Sequence, residues 1–298
     1  MCSRLRFLPE PRCYSTFQVE QFASGWKRNY YGKGDVIVYR LDRRGAGPQP
    51  VFGANIKMLV YGEAFWPTYT TGDNSGLIAT DSMKNFIQRE VLNYTGCDLE
   101  DCCRYLGEKF LRTYPQVEGV QVSAEEVPYA GLAGSKLAFA PAGPERSTAR
   151  IELDHSGTRE AVSGIRGFRL LRLCGSAFEG FVRDQYTTLP DIKNRPLHMW
   201  LDAEWLYAEP SAVSSGGSIT AAVRSTVHEV FCNFDSGSIQ QVIYQIGTKL
   251  LAEIPAIAEV HLEANNRTWD TVAERGEELG TFTDARPPYG CLGLRLRR

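Results

Sequence analysis

Gly107-Glu108-Lys109-Phe110-Leu111-Arg112-Thr113-Tyr114-Pro115-Gln116-Val117-Glu118-Gly119-Val120 recurs in outline as Gly247-Thr248-Lys249-Leu250-Leu251-Ala252-Glu253-Ile254-Pro255-Ala256-Ile257-Ala258-Glu259-Val260. The Gly, Lys, Leu, Pro and Val fall at the same spacing in both copies, and Ala124 and Tyr129 align in turn with Ala264 and Trp269. Each copy ends a helical pattern at a proline, which cannot continue a helix, and then alternates as a strand. One grammar used twice argues for a tandem duplication of a strand-strand-helix-helix-strand unit, and so for an α+β fold.

Reading outward, Tyr31–Leu41 is a β-branched strand, and a second strand covers about Gly53 to Ala64, with Arg43–Pro50 as the hairpin loop. Helical spacing follows from Asp81 to Asn93 and from Asp98 to Thr113, then a strand over Gln116–Val127. Tyr129–Ser147, rich in Ala, Gly and Pro, is the best boundary. This divides the chain into an N-terminal extension (1–29), which lacks periodicity and reads as flexible, a first repeat (30–140) and a second (141–298). In the second, strands are expected at Arg150–Leu153, Arg166–Leu173, His198–Tyr207, Ile257–Leu262 and near Leu292–Arg298. Helices are expected at Thr220–Phe231 and Ser238–Glu253.

The net charge of −2 gives no basic excess for nucleic acid, and no apolar run is long enough to span a membrane. No secretory signal is read in the first 27 residues, so the eight cysteines are expected as free thiols. None of the four histidines pairs with Cys97-x4-Cys102-Cys103 at zinc spacing, and Cys102 with Leu106 and Phe110 reads as the apolar face of a helix. No Gly-rich nucleotide motif is present.

Thr70–Asn85 carries the chemistry. Asp73-Asn74-Ser75 is turn-like, Leu77-Ile78-Ala79 reads as a buried strand end, and Thr80-Asp81-Ser82 as a capped helix start. A hydroxyl, a carboxylate and free amides would then converge. The string Asp73-Asn74-Ser75-x-x-x-Ala79-Thr80-Asp81-Ser82-x-Lys84-Asn85 closely resembles the urate oxidase (uricase) family. So do Tyr31-Gly32-Lys33, Phe178-x-Gly180-Phe181-x-Arg183-Asp184-x-Tyr186-Thr187-Thr188-Leu189, Arg195, Ser238-Ile239-Gln240 and Asn266, in the family's order across residues 30–298.

The resemblance implies tandem tunnelling-fold repeats, whose antiparallel sheets close into an oligomeric barrel with helices outside. It implies a homotetramer with active sites at subunit interfaces, oxidising urate with dioxygen and water to 5-hydroxyisourate and hydrogen peroxide without metal or other cofactor. Lys33 and Thr80 would form a proton relay, meeting across a subunit interface. Arg195 and Gln240 would clamp the urate anion, Phe178 would stack on it, and Leu189, Ile239 and Asp81 would line the pocket. Asn266 would hold dioxygen or water. The family's Asn-Lys-His departs here to Asn266-Arg267-Thr268, which leaves the third relay position to Thr268 or to a water it would hold. His261 lies on the wrong alternation to substitute.

Each residue also has a plainer reading: Lys33 solvated, Thr80-Asp81 a cap, Arg195 paired with Asp191 or Asp184, Phe178 in a core, Gln240 on an exposed helix. The competing functions are a pterin-processing enzyme of the same fold and a non-catalytic purine-binding oligomer. A Ser-Lys-Leu terminus is lacking, so a cytoplasmic, bacterial protein is expected.

Overall fold

A computed structural model describes residues 29–45, 50–276, 278–285 and 287–298, so the expected extension falls almost wholly outside the described residues. The first half runs β1 (Tyr31–Leu41), β2 (Val51–Tyr61), α1 (Trp66–Thr70), α2 (Thr80–Asn93), α3 (Leu99–Thr113), β3 (Gly119–Glu126), the ribbon strands β4 (Tyr129–Gly131) and β5 (Phe139–Pro141), and β6 (Arg146–Asp154). The second runs β7 (Gly157–Phe178), β8 (Ile192–Tyr207), α4 (Gly216–Asn233), α5 (Ile239–Glu253), β9 (Ile257–Asn266), the ribbon β10 (Thr271–Arg275) and β11 (Leu279–Phe282), and β12 (Gly290–Arg297). Each half is therefore a hairpin, a helix pair, a strand, a two-stranded ribbon and a closing strand.

All eight long strands form one antiparallel sheet in the order β1-β2-β3-β6-β7-β8-β9-β12. The Tyr129–Ser147 stretch is the first ribbon, between β3 and β6, which are neighbours in the sheet. Its counterpart in the second half is Thr271–Phe282.

The duplicated glycines do matching work. A Cβ on Gly107 would stand 2.4 Å from Leu153 and 3.3 Å from Val120. One on Gly247 would stand 2.9 Å from Leu296 and 3.4 Å from Val260. Val120 lies opposite Leu153, and Val260 opposite Leu296. So in both halves a glycine lets a helix settle onto the same cross-strand pair.

Alternation gives the sheet one apolar face. Ile56, Met58, Val122, Ile151, Leu201, Trp205 and Leu262 are buried there against Met83, Ile87, Leu106, Phe110, Val227 and Ile246. Each such side chain contributes roughly 1.5–3 kcal/mol. The other face carries Gln121, Arg150, Asp202, Glu204 and Glu263, on alternate positions. Burial pushes the Asp202 and Glu204 carboxyls above the usual range.

Three expectations change. The second strand stops at Tyr61, because Glu63–Phe65 turn the chain into α1. No strand forms at Leu77–Ala79; the segment crosses to α2 with Ile78 buried. The strand expected at Arg166–Leu173 spans all of β7, with register shifts beside Gly167 and Gly175 at φ 80 and 79, positions that suit glycine. Among the described residues no helix is long and apolar enough to cross a membrane.

Candidate active site

The first group of site residues forms where β1 meets α2. Tyr31 Oη accepts the Ile78 amide at 2.9 Å, which anchors the approach to α2 on the start of β1. Burial chiefly pushes the Tyr31 phenol up to about 12. Lys33, half-buried, follows on the same strand. Thr80 is the first residue of α2, not its cap. The cap is Ala79, which has no side-chain oxygen, so the first-turn amides have no side-chain acceptor from it. Asp81 turns back along the helix, accepting from Lys84 at 2.5 Å and Asn85 at 2.9 Å. The Lys84 hydrogen bond and charge hold its carboxyl below the usual range, and the Lys33 charge adds to this. The Lys33 charge thus reaches the Thr80-Asp81 turn of its own chain. The reason is the Tyr31–Ile78 contact, with α2 lying against β1.

The second group forms where β7 ends and β8 begins. Arg195 is opposite Ser176, and Phe178 opposite Ile192. The Arg195 guanidinium lies 5.7 Å from the Phe178 ring centre, and Phe178 stacks on Phe181 at 5.0 Å and 15°. The acids that could have paired with Arg195 are engaged elsewhere. Asp191 binds Arg183 at 3.0 Å and accepts from the Gly180 amide. Asp184 accepts from Tyr186 and Thr187 in its own turn. Among the described residues Arg195 has no carboxylate partner, its Nε has no hydrogen-bond partner, and burial lowers its pKa.

The start of α5 is fastened to this group. Ala177 donates to the Ser236 carbonyl at 2.7 Å, and Ser236 to that of Gly175 at 3.0 Å. Arg172 reaches across to the carbonyls of Phe231, Phe234 and Gly175 and to the Ser236 hydroxyl. Ser238 caps α5 by accepting from Gln241 at 3.2 Å, while the Gln241 side chain accepts from Gly237 at 2.8 Å. Ile239 is buried and Gln240 is exposed. Leu189 is 41% exposed on the β7–β8 connection, its carbonyl accepting from Arg183.

Asn266 ends β9, opposite Met199 and so on the helix-bearing face shared by Arg195. Met199 is four residues beyond Arg195, or roughly 13 Å of strand. Thr268 is exposed. Between them Arg267 is buried with its guanidinium 3.7 Å from the Trp200 ring centre and 3.9 Å from that of Tyr289. Its amide donates to the His198 carbonyl. His261 is five residues back, on the other face, opposite Glu204 and Arg295. Arg172 was not singled out in the sequence, where a lone Arg on a strand carries no signal; Tyr31 and Arg267 were read only within the strings Tyr31-Gly32-Lys33 and Asn266-Arg267-Thr268, with no role of their own.

The two groups are far apart within one chain. The cross-strand row through Lys33 passes Met58, Val122, Ile151 and Ala161. Phe178 lies 17 residues further along β7, about 55 Å of extended strand, less what the bulges shorten. One planar ligand cannot touch both groups in a single protomer. Among the described residues no three His, Cys, Asp or Glu side chains are grouped to hold a metal ion.

The α+β chain thus carries a basic, aromatic group of residues at one end of its sheet and a lysine–threonine group at another, on a repeated strand and helix order. The family model for uricase matches residues 29–152 and 161–290, and the chain belongs to the uricase family. It is 36% identical over 293 residues to the uric acid degradation bifunctional protein of Bacillus sp. TB-90, covering 88% of this chain and 58% of that protein. It is 37% identical over 295 residues to the uricase of Haloferax volcanii, covering 89% and 95%. The chain thus spans less than two thirds of the bifunctional relative. The crystal structure of a uricase from Bacillus fastidious superposes with TM-score 0.81 at 36% identity, covering 90% of this chain and 93% of that one.

Proposed function

We propose that this chain oxidises urate with dioxygen and water to 5-hydroxyisourate and hydrogen peroxide, using no cofactor. The observation that carries the reading is Arg195: a partly buried guanidinium without a carboxylate, beside an aromatic ring, on a strand end fastened to the chain just before α5. That is an anion site prepared for a flat ligand. Arg195 and Gln240 bind opposite edges of the urate anion, Phe178 stacks on it, and Leu189 and Ile239 border it.

Lys33, with Thr80 beside it and Asp81 in the same turn, takes the second proton. The electron-rich ring then gives two electrons to dioxygen held near Asn266, water adds at C5, and peroxide leaves. Thr268, alone or through a water, completes the proton path. Because the two groups lie on one chain but far apart, Lys33 and Thr80 of one protomer serve the Arg195 end of another. β1 and β12 are the two edges of the sheet, so edge-to-edge pairing of copies would close a barrel and unite the groups. We place this in a cytoplasmic homotetramer of two repeats per chain, with the repeats dividing at the β6–β7 turn.

The test is urate's ultraviolet absorbance with chelator-treated protein in air, with peroxide assayed alongside. Loss of urate with stoichiometric peroxide is expected. Tight binding of urate without turnover would replace the enzyme by a purine-binding oligomer, and neither binding nor turnover would refute the site.

A further inference from the structure

The first strand contains an irregularity whose value depends on Lys33 acting as the base. Lys33 lies opposite Met58, and Val36 opposite Ile56. Three steps on β1 therefore match two on β2. In an unbroken strand, side chains three residues apart point to opposite faces. Met58 and Ile56 are both fully buried on the helix-bearing face, and Val36 is 3% exposed there. The extra residue brings Lys33 onto that same face, the one on which α2 lies, where its charge reaches Asp81. Without it, the strand could keep Val36 and Val38 in the core only by turning Lys33 away.

The extra residue has an unusual backbone. Asp35 has φ 53 and is the one non-glycine residue with positive φ among the described residues. Its carboxylate accepts from the Asn55 amide on the facing strand at 3.2 Å. Aspartate and asparagine tolerate this left-handed conformation better than most residues, and β-branched residues tolerate it worst. A bulge beside a reactive side chain is a means of re-aiming it. We propose that Asp35, held by Asn55, is a positioning residue: its left-handed turn decides the face from which Lys33 addresses the urate site.

The experiment is a graded series at one position, Asp35→Gly, Asn, Ala and Val, assayed below each variant's melting temperature. The Gly and Asn variants should keep kcat within about threefold, and Val should lose about tenfold or more, with Ala between. KM and the affinity for an unreactive purine analogue should move by less than about threefold throughout, since the Arg195 group is untouched. If Val fails to fold, the Gly–Ala comparison decides. Equal kcat across the folded variants, or a Gly variant as impaired as Ala or Val, would overturn the proposal. Lys33→Met separates the two ideas. If it turns over urate normally, the base assignment falls; if it is inactive while the Asp35 series is flat, only the positioning role falls.

Discussion

Arg195→Gln tests the anion site most directly. In the free protein the guanidinium is half out of water with no carboxylate beside it. Its desolvation is therefore already spent before the ligand arrives, and the charge is available to it. A hydrogen bond to a charged group contributes about 1.5–3 kcal/mol, and 1.4 kcal/mol is a tenfold change in affinity. Removing the charge should weaken an unreactive anionic purine-dione by roughly 10- to 150-fold. Stability should move the other way or not at all, because an unpaired, partly buried charge is a cost to the fold. Titration calorimetry with the analogue gives the affinity, and calorimetric melting of the unliganded protein gives the stability. A change in affinity under about threefold would remove Arg195 from the clamp. A large drop in melting temperature with little change in affinity would make it a structural residue.

Lys33→Met should lower kcat by about 100-fold or more while analogue affinity stays within about threefold; equal losses in both would deny it a base role. Thr268→Ala should cost only a modest part of the rate if water carries the last proton, and a loss as deep as that of Lys33→Met would make its hydroxyl a relay member. Gly107→Ala and Gly247→Ala should each destabilise by about 1–3 kcal/mol through overpacking, and Gly107→Ala by more, since its Cβ would meet Leu153 at 2.4 Å against 2.9 Å for Gly247 and Leu296. Denaturant melts would reveal the order. Glu100 is buried beside Tyr207 and Thr220, and desolvation chiefly raises its pKa above 4.5. Its folded form holds the proton more tightly than the unfolded one, so stability is lost as pH rises from the unfolded value through the folded one. Glu100→Gln should thus raise the melting temperature at neutral pH, and the gain should fade as pH falls to about 4.5; a constant gain would point to a cause other than titration.

Much of the fold is legible because it is written twice. The Gly107 and Gly247 stretches mark helix ends and strands by spacing alone, and the closing alternation of Leu292, Leu294 and Leu296 is plain. What stays hidden is what breaks period. β7 carries three register shifts against β8 and one against β6, so no single alternation runs its length. The ribbons are short, and their Gly, Ala and Pro content reads as linker. In the site, the words around Thr80, Phe178 and Arg195 are visible as strings. Their grouping depends on contacts between distant segments, such as Arg172 with Phe231 or Tyr31 with Ile78, and no local pattern encodes those. The same gap explains the misread cap. Thr80 is a good cap by type, but Tyr31 takes the Ile78 amide and fixes where the helix begins, leaving Ala79 at the cap position.

The duplication also bears on why the site is split. β1 and β7 are equivalent strands of the two halves, and each begins a hairpin that a helix pair covers. The first half uses the start of its first strand and the start of its first helix, where Lys33 meets the Thr80-Asp81 turn. The second uses the far end of its hairpin, which carries Arg195 and Phe178 and is fastened through Ser176 and Ala177 to Ser236, just before its second helix. The copies have thus specialised at different corners of one architecture. Corners so far apart cannot be joined by a small hinge, since β7 is a continuous member of the sheet on both sides of the distance. Under the proposed function, association is the remaining way to place Lys33 against a urate held by Arg195, which would tie proton transfer to assembly. Urate binding by the Arg195 group should therefore survive in a dissociated protomer longer than turnover does.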